Sequence, residues 1–173
     1  MKLSMNKKIK VIIDDVELEV CVSEEELAKL TKKEQKKTGY ERAENNQLYY
    51  SIDAQNEIFA DREANDSFDS IRYKNVNYYT EKTLAENNAR ADKLMRQLRR
   101  FAAENCAEVK WDNSDDKYYL MYDYLYKEIC IDAWKYTKEF GQIYFDTEEN
   151  AQKAIDAFKD ELIWYFTEYR DRV

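Results

Sequence analysis

The longest uninterrupted helical pattern in the chain runs from Thr80 to Cys106, TEKTLAENNARADKLMRQLRRFAAENC. Projected at about 100° per residue, Leu84, Ala91, Leu94, Met95, Leu98, Phe101 and Ala102 fall on one face. Lys93, Arg96 and Arg100 cluster on the opposite face, with Arg90 and Arg99 flanking them. Thr80 is placed to cap this helix, with Glu81 and Glu86 near its electropositive N-terminal end. An apolar stripe of this length requires a packing partner, and the residues that follow supply one.

Downstream the period changes from helical to alternating. KYYLMYDY (117–124), EICIDAWKY (128–136) and QIYFD (142–146), the last opened by Gly141, read as three antiparallel strands. Asp146 or Thr147 then caps a final helix, with Glu149 at capping-box spacing from Asp146. Ala151, Ala154, Ile155, Phe158, Leu162, Tyr165 and Tyr169 share one face of that helix, and Trp164 projects away from it. Both helices can cover one face of a three-stranded sheet, which predicts an α+β fold in two layers.

Upstream, residues 8–22 alternate as a hairpin turning at Asp14-Asp15. Ser23 and Glu26 have capping-box spacing ahead of a short helix with Leu27 and Leu30 as its apolar face, and Gly39 reads as a stop or linker. QLYYSID (47–53), a turn at Ala54-Gln55-Asn56 and EIFA (57–60) predict a second hairpin. A polar loop follows, with a short element around Phe68 and Ile71. The expected organisation is an N-terminal hairpin-helix element (1–38), a turn-rich β segment (39–79) and a helix-βββ-helix core (80–173).

Composition narrows the function. No apolar run approaches the roughly 18 residues of a membrane span, and the apolar block in MKLSMNKKIKVII is too short for a secretory signal. Three isolated cysteines, Cys21, Cys106 and Cys130, then read as reduced thiols of a cytoplasmic protein. The absence of histidine removes the usual general base and the commonest transition-metal ligand, and two glycines leave no phosphate-cradling loop. No cofactor is expected, and a binding protein fits this composition better than an enzyme.

The net charge of −8 is unevenly placed. Residues 80–103 carry six cations and three anions, whereas residues 104–173 carry nine and seventeen. Such an acidic module repels nucleic acid and attracts basic protein surfaces. The basic ridge Lys93, Arg96 and Arg100 can clamp phosphates or acidic protein patches, or can be an ordinary solvated face. Trp164 can anchor an interface, a homodimer included, or can pack inside its own chain. Asp112, Asp115, Asp116, Asp123, Asp132 and Asp146 can in principle hold magnesium, although their spacing is not specific and turn roles are the default for aspartate.

Three phrases carry a resemblance: KKTGYERAENNQLYY (36–50), YYTEKTLAENNARADKLMRQLRRFAAEN (78–105) and FGQIYFDTEENAQKAIDAFKDELIWYF (140–166). They resemble small proteins of prophages, plasmids and other mobile elements in Firmicutes, among them anti-CRISPR proteins directed at type II-A effector nucleases. The resemblance spans most of residues 36–173 and marks a lineage rather than a chemistry, so it carries over no catalytic residue. It implies a phage-encoded inhibitor inside the host bacterium that binds the effector nuclease or its guide-RNA complex. The alternatives are a metal-dependent ribonuclease trimming the guide RNA through Asp and Glu, and a phage accessory or regulatory binding protein. The effector's positively charged channel for guide and target suits an acidic ligand.

Overall fold

A computed structural model of the chain describes residues 6–13, 16–23 and 37–169. The chain divides into two compact units, Met1–Lys37 and Thr38–Val173. In the first, β1 (Asn6–Ile13) and β2 (Val16–Ser23) pair antiparallel from Asn6↔Ser23 to Ile13↔Val16, the hairpin expected from the alternation. Its Asp14-Asp15 turn and the helix expected after Ser23, with Glu26, Leu27 and Leu30, lie outside the described residues. The expected segments 39–79 and 80–173 fall within the second unit.

In that unit Asp53 sets the first turn. Its carboxylate accepts from the amides of Gln55 (2.9 Å) and Glu57 (2.8 Å), and Asn56 takes the left-handed conformation (φ 68°) that asparagine tolerates. The flanking residues pair as β3 (Leu48–Ile52) and β4 (Ile58–Arg62), in register from Leu48↔Arg62 to Ile52↔Ile58. A helix α1 (Ser67–Lys74) follows, closed at its start by a reciprocal capping box between Asp66 and Asp69. The residues that marked this element in the sequence, Phe68 and Ile71, are both exposed; α1 is held instead through the buried Asp69.

The long helix α2 spans Lys82–Asn105. Glu81 rather than Thr80 occupies its N-cap, and no side chain caps it; the Thr80 amide is drawn to the Gly39 carbonyl (2.8 Å). Gly39 needs its missing side chain there, because a Cβ would lie 2.7 Å from Leu84 Cδ2 and its φ is +86°. β5 (Lys117–Asp123) and β6 (Glu128–Trp134) form the third hairpin, and α3 (Glu148–Thr167) closes the unit with a kink at Phe158. Thr147, the second of the two candidate caps, accepts from the Asn150 amide.

The fold is α+β, but the described residues contain three two-stranded pairs and no three-stranded sheet. Residues 142–146, expected as a third strand on β5, touch it at one place, where Phe145 and Tyr118 exchange both backbone bonds (2.8 and 3.0 Å). The next ladder acceptor, the Leu120 carbonyl, is taken by the Gln142 side-chain amide (3.1 Å), and Gly141 (φ +79°) bends the chain away. A side chain thus ends the pairing that the backbone began.

The same arrangement occurs earlier. Tyr79 exchanges both backbone bonds with Tyr50 of β3 (2.7 and 2.9 Å), and α2 begins three residues later, as α3 begins three residues after Phe145. Buried Tyr78 and Tyr79 correspond to Tyr144 and Phe145, and fully buried Ala85 corresponds to Ala151 at the same distance along each helix. The second unit is therefore built from two hairpin–bridge–helix halves, a repeat that the bare sequence does not display.

These halves share α2. Leu84 and Ala85 pack with Tyr79, Tyr50, Ile52 and Ile58 of the first half. Leu94 and Leu98 pack with Leu120, Phe145, Ala151, Ala154, Ile155 and Leu162 of the second, and Met95, Phe101 and Ala102 border that core. The apolar stripe expected on α2 is the one buried.

Beyond α1 lies a strained residue. The Asn77 amide bonds the Arg72 carbonyl (3.0 Å) and the Val76 amide bonds that of Tyr73 (3.2 Å), the pattern of a Schellman helix end. Its left-handed position, usually glycine, is Val76 (φ 56°), whose side chain is 65% exposed. The turn is imposed by Asn77, whose amide brackets Ile52 N and O of β3 at 2.7 Å each. Left-handed backbone costs a β-branched residue about 1–2 kcal/mol. Val76→Gly is expected to raise stability by about 1 kcal/mol, read as a higher urea midpoint at unchanged slope; an unchanged or lower midpoint contradicts the strain.

Candidate functional site

α2 presents its cations on the side opposite its two cores. Lys93, Arg96, Arg99 and Arg100 are all exposed, as the projection requires. They differ in what they already hold. Arg96 donates to the Asn56 side-chain oxygen in the β3–β4 turn, and Asn56 in turn donates to the Ala89 carbonyl (3.1 Å), so the turn is stitched to the helix beneath the ridge. Arg100 pairs with Glu104 one turn on (2.7 Å), an exposed contact that water screens. Together with Lys93 these residues form a strip on a helix that packing holds from behind.

Trp164 is not part of that strip. It is 7% exposed, with the Arg90 guanidinium stacked 3.9 Å from its ring centroid and Tyr169 tilted against it at 5.6 Å. Glu161 grips Arg90 from the other side with two hydrogen bonds (2.8 and 3.2 Å). The indole expected to project outward packs between α2 and the end of α3. Projection at a constant angle misplaces it, because the kink at Phe158 breaks the phase of the second half of α3. Arg90, which flanked the ridge in projection, is spent on this contact.

The carboxylates singled out in the sequence are dispersed into structural roles. Asp123 accepts from Leu125 and Tyr126 amides in the β5–β6 turn, Asp132 from the Tyr119 hydroxyl, and Asp146 from the Ala107 amide and the Asn150 side chain. Burial together with the hydrogen bond to Asp132 pushes the Tyr119 hydroxyl up to about 12. Asp115 accepts from the Asn113 side chain, and Asp116 lies 3.9 Å from the Lys135 ammonium. The loop carrying Asp112, Asp115 and Asp116 already has a cation at its centre. The buried Lys117 ammonium donates to the Asn113 backbone (3.1 Å) and side-chain (2.8 Å) oxygens and to the Asp115 (2.6 Å) and Lys135 (3.1 Å) carbonyls. Among the described residues, no group of three or more metal-ligating side chains is placed to hold a metal ion. Cys21 is exposed, Cys106 and Cys130 are partly covered, and all three are free thiols; burial pushes that of Cys106 up.

Two acids that the sequence reading left unremarked are the most deeply buried. Glu63 (1% exposed) receives Arg42 in a two-pronged pair (2.9 and 3.2 Å), the Tyr78 hydroxyl (2.7 Å) and the Asn65 amide (2.8 Å). Asp69 (3% exposed) receives the Tyr49 hydroxyl (2.7 Å) and the amides of Ala64 (2.8 Å) and Asp66 (3.3 Å). The Tyr49 and Tyr78 rings stack at 4.0 Å, and Arg72 donates to both the Tyr49 oxygen and Asp61. The sequence signal was the Asp66–Asp69 spacing together with tyrosines abundant in an acidic chain; the partners come from four separate segments.

Every oxygen of both carboxylates is occupied, so this cluster holds the fold and has no lone pair left for a substrate. Arg42 is the main cause holding the Glu63 carboxyl below its usual range. For Asp69 burial pushes upward, but the hydrogen bonds from Tyr49, Ala64 and Asp66 outweigh it, and the net shift is downward. Burial, reinforced by Asp69, pushes the Tyr49 hydroxyl up to about 12, and burial with Glu63 raises Tyr78 further.

No helix among the described residues is long and apolar enough to cross a membrane. Compared with protein-family models, with curated proteins and with solved structures, the chain matches none.

The two lowered carboxyls make the fold acid-sensitive. Below the ordinary values of 4.5 for Glu63 and 3.8 for Asp69, the unfolded chain binds more protons than the folded one. Their contribution is complete above that range and is lost as pH falls through the folded values. Thermal melts are expected to level off near pH 5–7 and to fall steeply below about pH 4.5, with a shallower fall in Glu63→Gln. Tyr78→Phe, which deprives Glu63 of a donor and the Ala43 amide of its acceptor (3.2 Å), is expected to cost about 2 kcal/mol by urea denaturation.

Proposed function

We propose that this protein is a charge-directed inhibitor that binds a type II-A CRISPR effector nuclease carrying its guide RNA. The supporting observation is the exposed strip Lys93, Arg96 and Arg100 on one face of α2, on a chain whose net charge is −8. The strip is preorganised, since α2 is buried in two cores on its other side and tied to the β3–β4 turn through Arg96 and Asn56. Preorganised cations lose little freedom on meeting phosphate, which favours binding. The surplus of negative charge in residues 104–173 complements a basic channel, while the strip meets guide-RNA phosphates at its margin. The phrases at 36–50, 78–105 and 140–166 support the same reading, and the strip lies within the second of them. The effector works inside the bacterial cell, which places the inhibitor there too. The work is done by occupancy: the acidic side chains in reach of the strip and of the β5–β6 hairpin are engaged in turns, caps and ion pairs.

DNA cleavage by a type II-A effector, loaded with guide RNA and titrated with this protein, tests the proposal. The expected result is loss of cutting with the guide intact. Unimpaired cutting at large excess overturns it, and a shortened guide whose trimming stops on chelation replaces it with a ribonuclease. Changing Lys93, Arg96 and Arg100 together to Glu is expected to raise the half-inhibitory concentration about tenfold or more and to flatten its salt dependence by about one log–log unit per residue. The melting temperature should stay near that of the parent, because all three side chains are exposed.

A further inference from the structure

Between α2, β5 and α3 lies an apolar cleft of about 220 Å³, lined by Leu94, Leu98, Leu120, Phe145, Leu162 and Phe166 among others. An apolar cavity of about 150 Å³ accepts a benzene ring, so this one has room for an aromatic side chain. At its mouth stands Phe140, which lines the opening yet leaves its own side chain fully exposed. Phe140 is held in that attitude. Before it, the Glu139 amide donates to the Tyr144 hydroxyl (2.8 Å); after it, the Gln142 side chain is fixed to the Leu120 carbonyl (3.1 Å). Phe140 and Gly141 form a short turn between these two pins, which keeps the ring from folding back into the cleft beside it.

We infer that Phe140 is a docking knob and that the cleft of a second copy of this chain receives it. A knob beside its own hole is the arrangement that a two-fold axis makes reciprocal: each copy gives Phe140 and takes the other's. The neighbouring surface suits such a contact. The Tyr124 hydroxyl bonds the Phe166 carbonyl (2.7 Å) at the rim, and Tyr124, Leu125 and Tyr126 are all strongly exposed in the β5–β6 turn. At about 150 Å² for each large apolar side chain, Phe140 and these three supply roughly 600 Å² per copy, close to the roughly 800 Å² per partner of a standard interface.

Sedimentation equilibrium of the full chain tests the inference without any effector present. The parent is expected to sediment as a dimer at about 100 µM, and Phe140→Ser to weaken association by about 100-fold, since two rings are lost per dimer. The variant should keep the parent's urea midpoint, because an exposed ring contributes nothing to the monomer. A monomeric parent at about 100 µM overturns the proposal, and so does a dimer unaffected by Phe140→Ser. A Phe140→Ser monomer with a lowered urea midpoint also overturns it, by showing that the ring fills its own cleft. Met95→Trp, which narrows the cleft from its lining, is expected to dissociate the dimer while Phe140 stays intact.

Discussion

One helix has to satisfy two hydrophobic cores at once. The N-terminal turns of α2 bury Leu84 and Ala85 against the first hairpin and its bridging tyrosine, and the later turns bury Leu94 and Leu98 against the second hairpin and α3. Each two-stranded hairpin is marginal alone, and each becomes stable by presenting one face to this helix. Small residues make the shared use workable. Ala85 and Ala89 are buried near the first hairpin, where larger side chains would hold it off, and the Ala89 carbonyl accepts the side chain of Asn56 from the hairpin turn. The exposed cations follow from the same demand, since only one stripe of α2 is left to face water.

The first half of the second unit solves its packing problem with charge rather than volume. Its core cluster is small, and α1 turns Phe68 and Ile71 to solvent. What fixes α1 is a pair of buried carboxylates, each saturated by tyrosine hydroxyls, backbone amides or a guanidinium. A group desolvated in this way is tolerable only with every partner present. The cluster therefore enforces one geometry: the stacked Tyr49 and Tyr78, the Asp66 cap and the Arg42 fork come together or not at all.

Local periodicity carried much of this architecture. The long helix, its apolar stripe, the hairpin with its Ala54-Gln55-Asn56 turn and the face of the last helix were readable because each depends on residues close in sequence. The third strand was not, since nothing in QIYFD tells that the Gln142 side chain will take the Leu120 carbonyl first. Trp164 escaped because a kink resets helical phase, and Glu63 and Asp69 looked like loop acids because their partners arrive from distant segments. Of the candidate ridge, Lys93, Arg96 and Arg100 were legible as a surface from projection alone. That Arg90 would be withdrawn into a stack on Trp164 was not.

Asn88 has a consequence of another kind. Its side-chain amide donates to the Tyr40 hydroxyl (2.8 Å), and its carbonyl oxygen accepts from the Tyr169 hydroxyl (2.8 Å). A residue from the start of the second unit and one from its end thus meet on a single turn of α2. The unit is closed on itself, as domains that can be transplanted often are. Its beginning and end leave the body side by side, so the fold can be spliced into a host loop, or opened elsewhere along its length, without pulling the two cores apart.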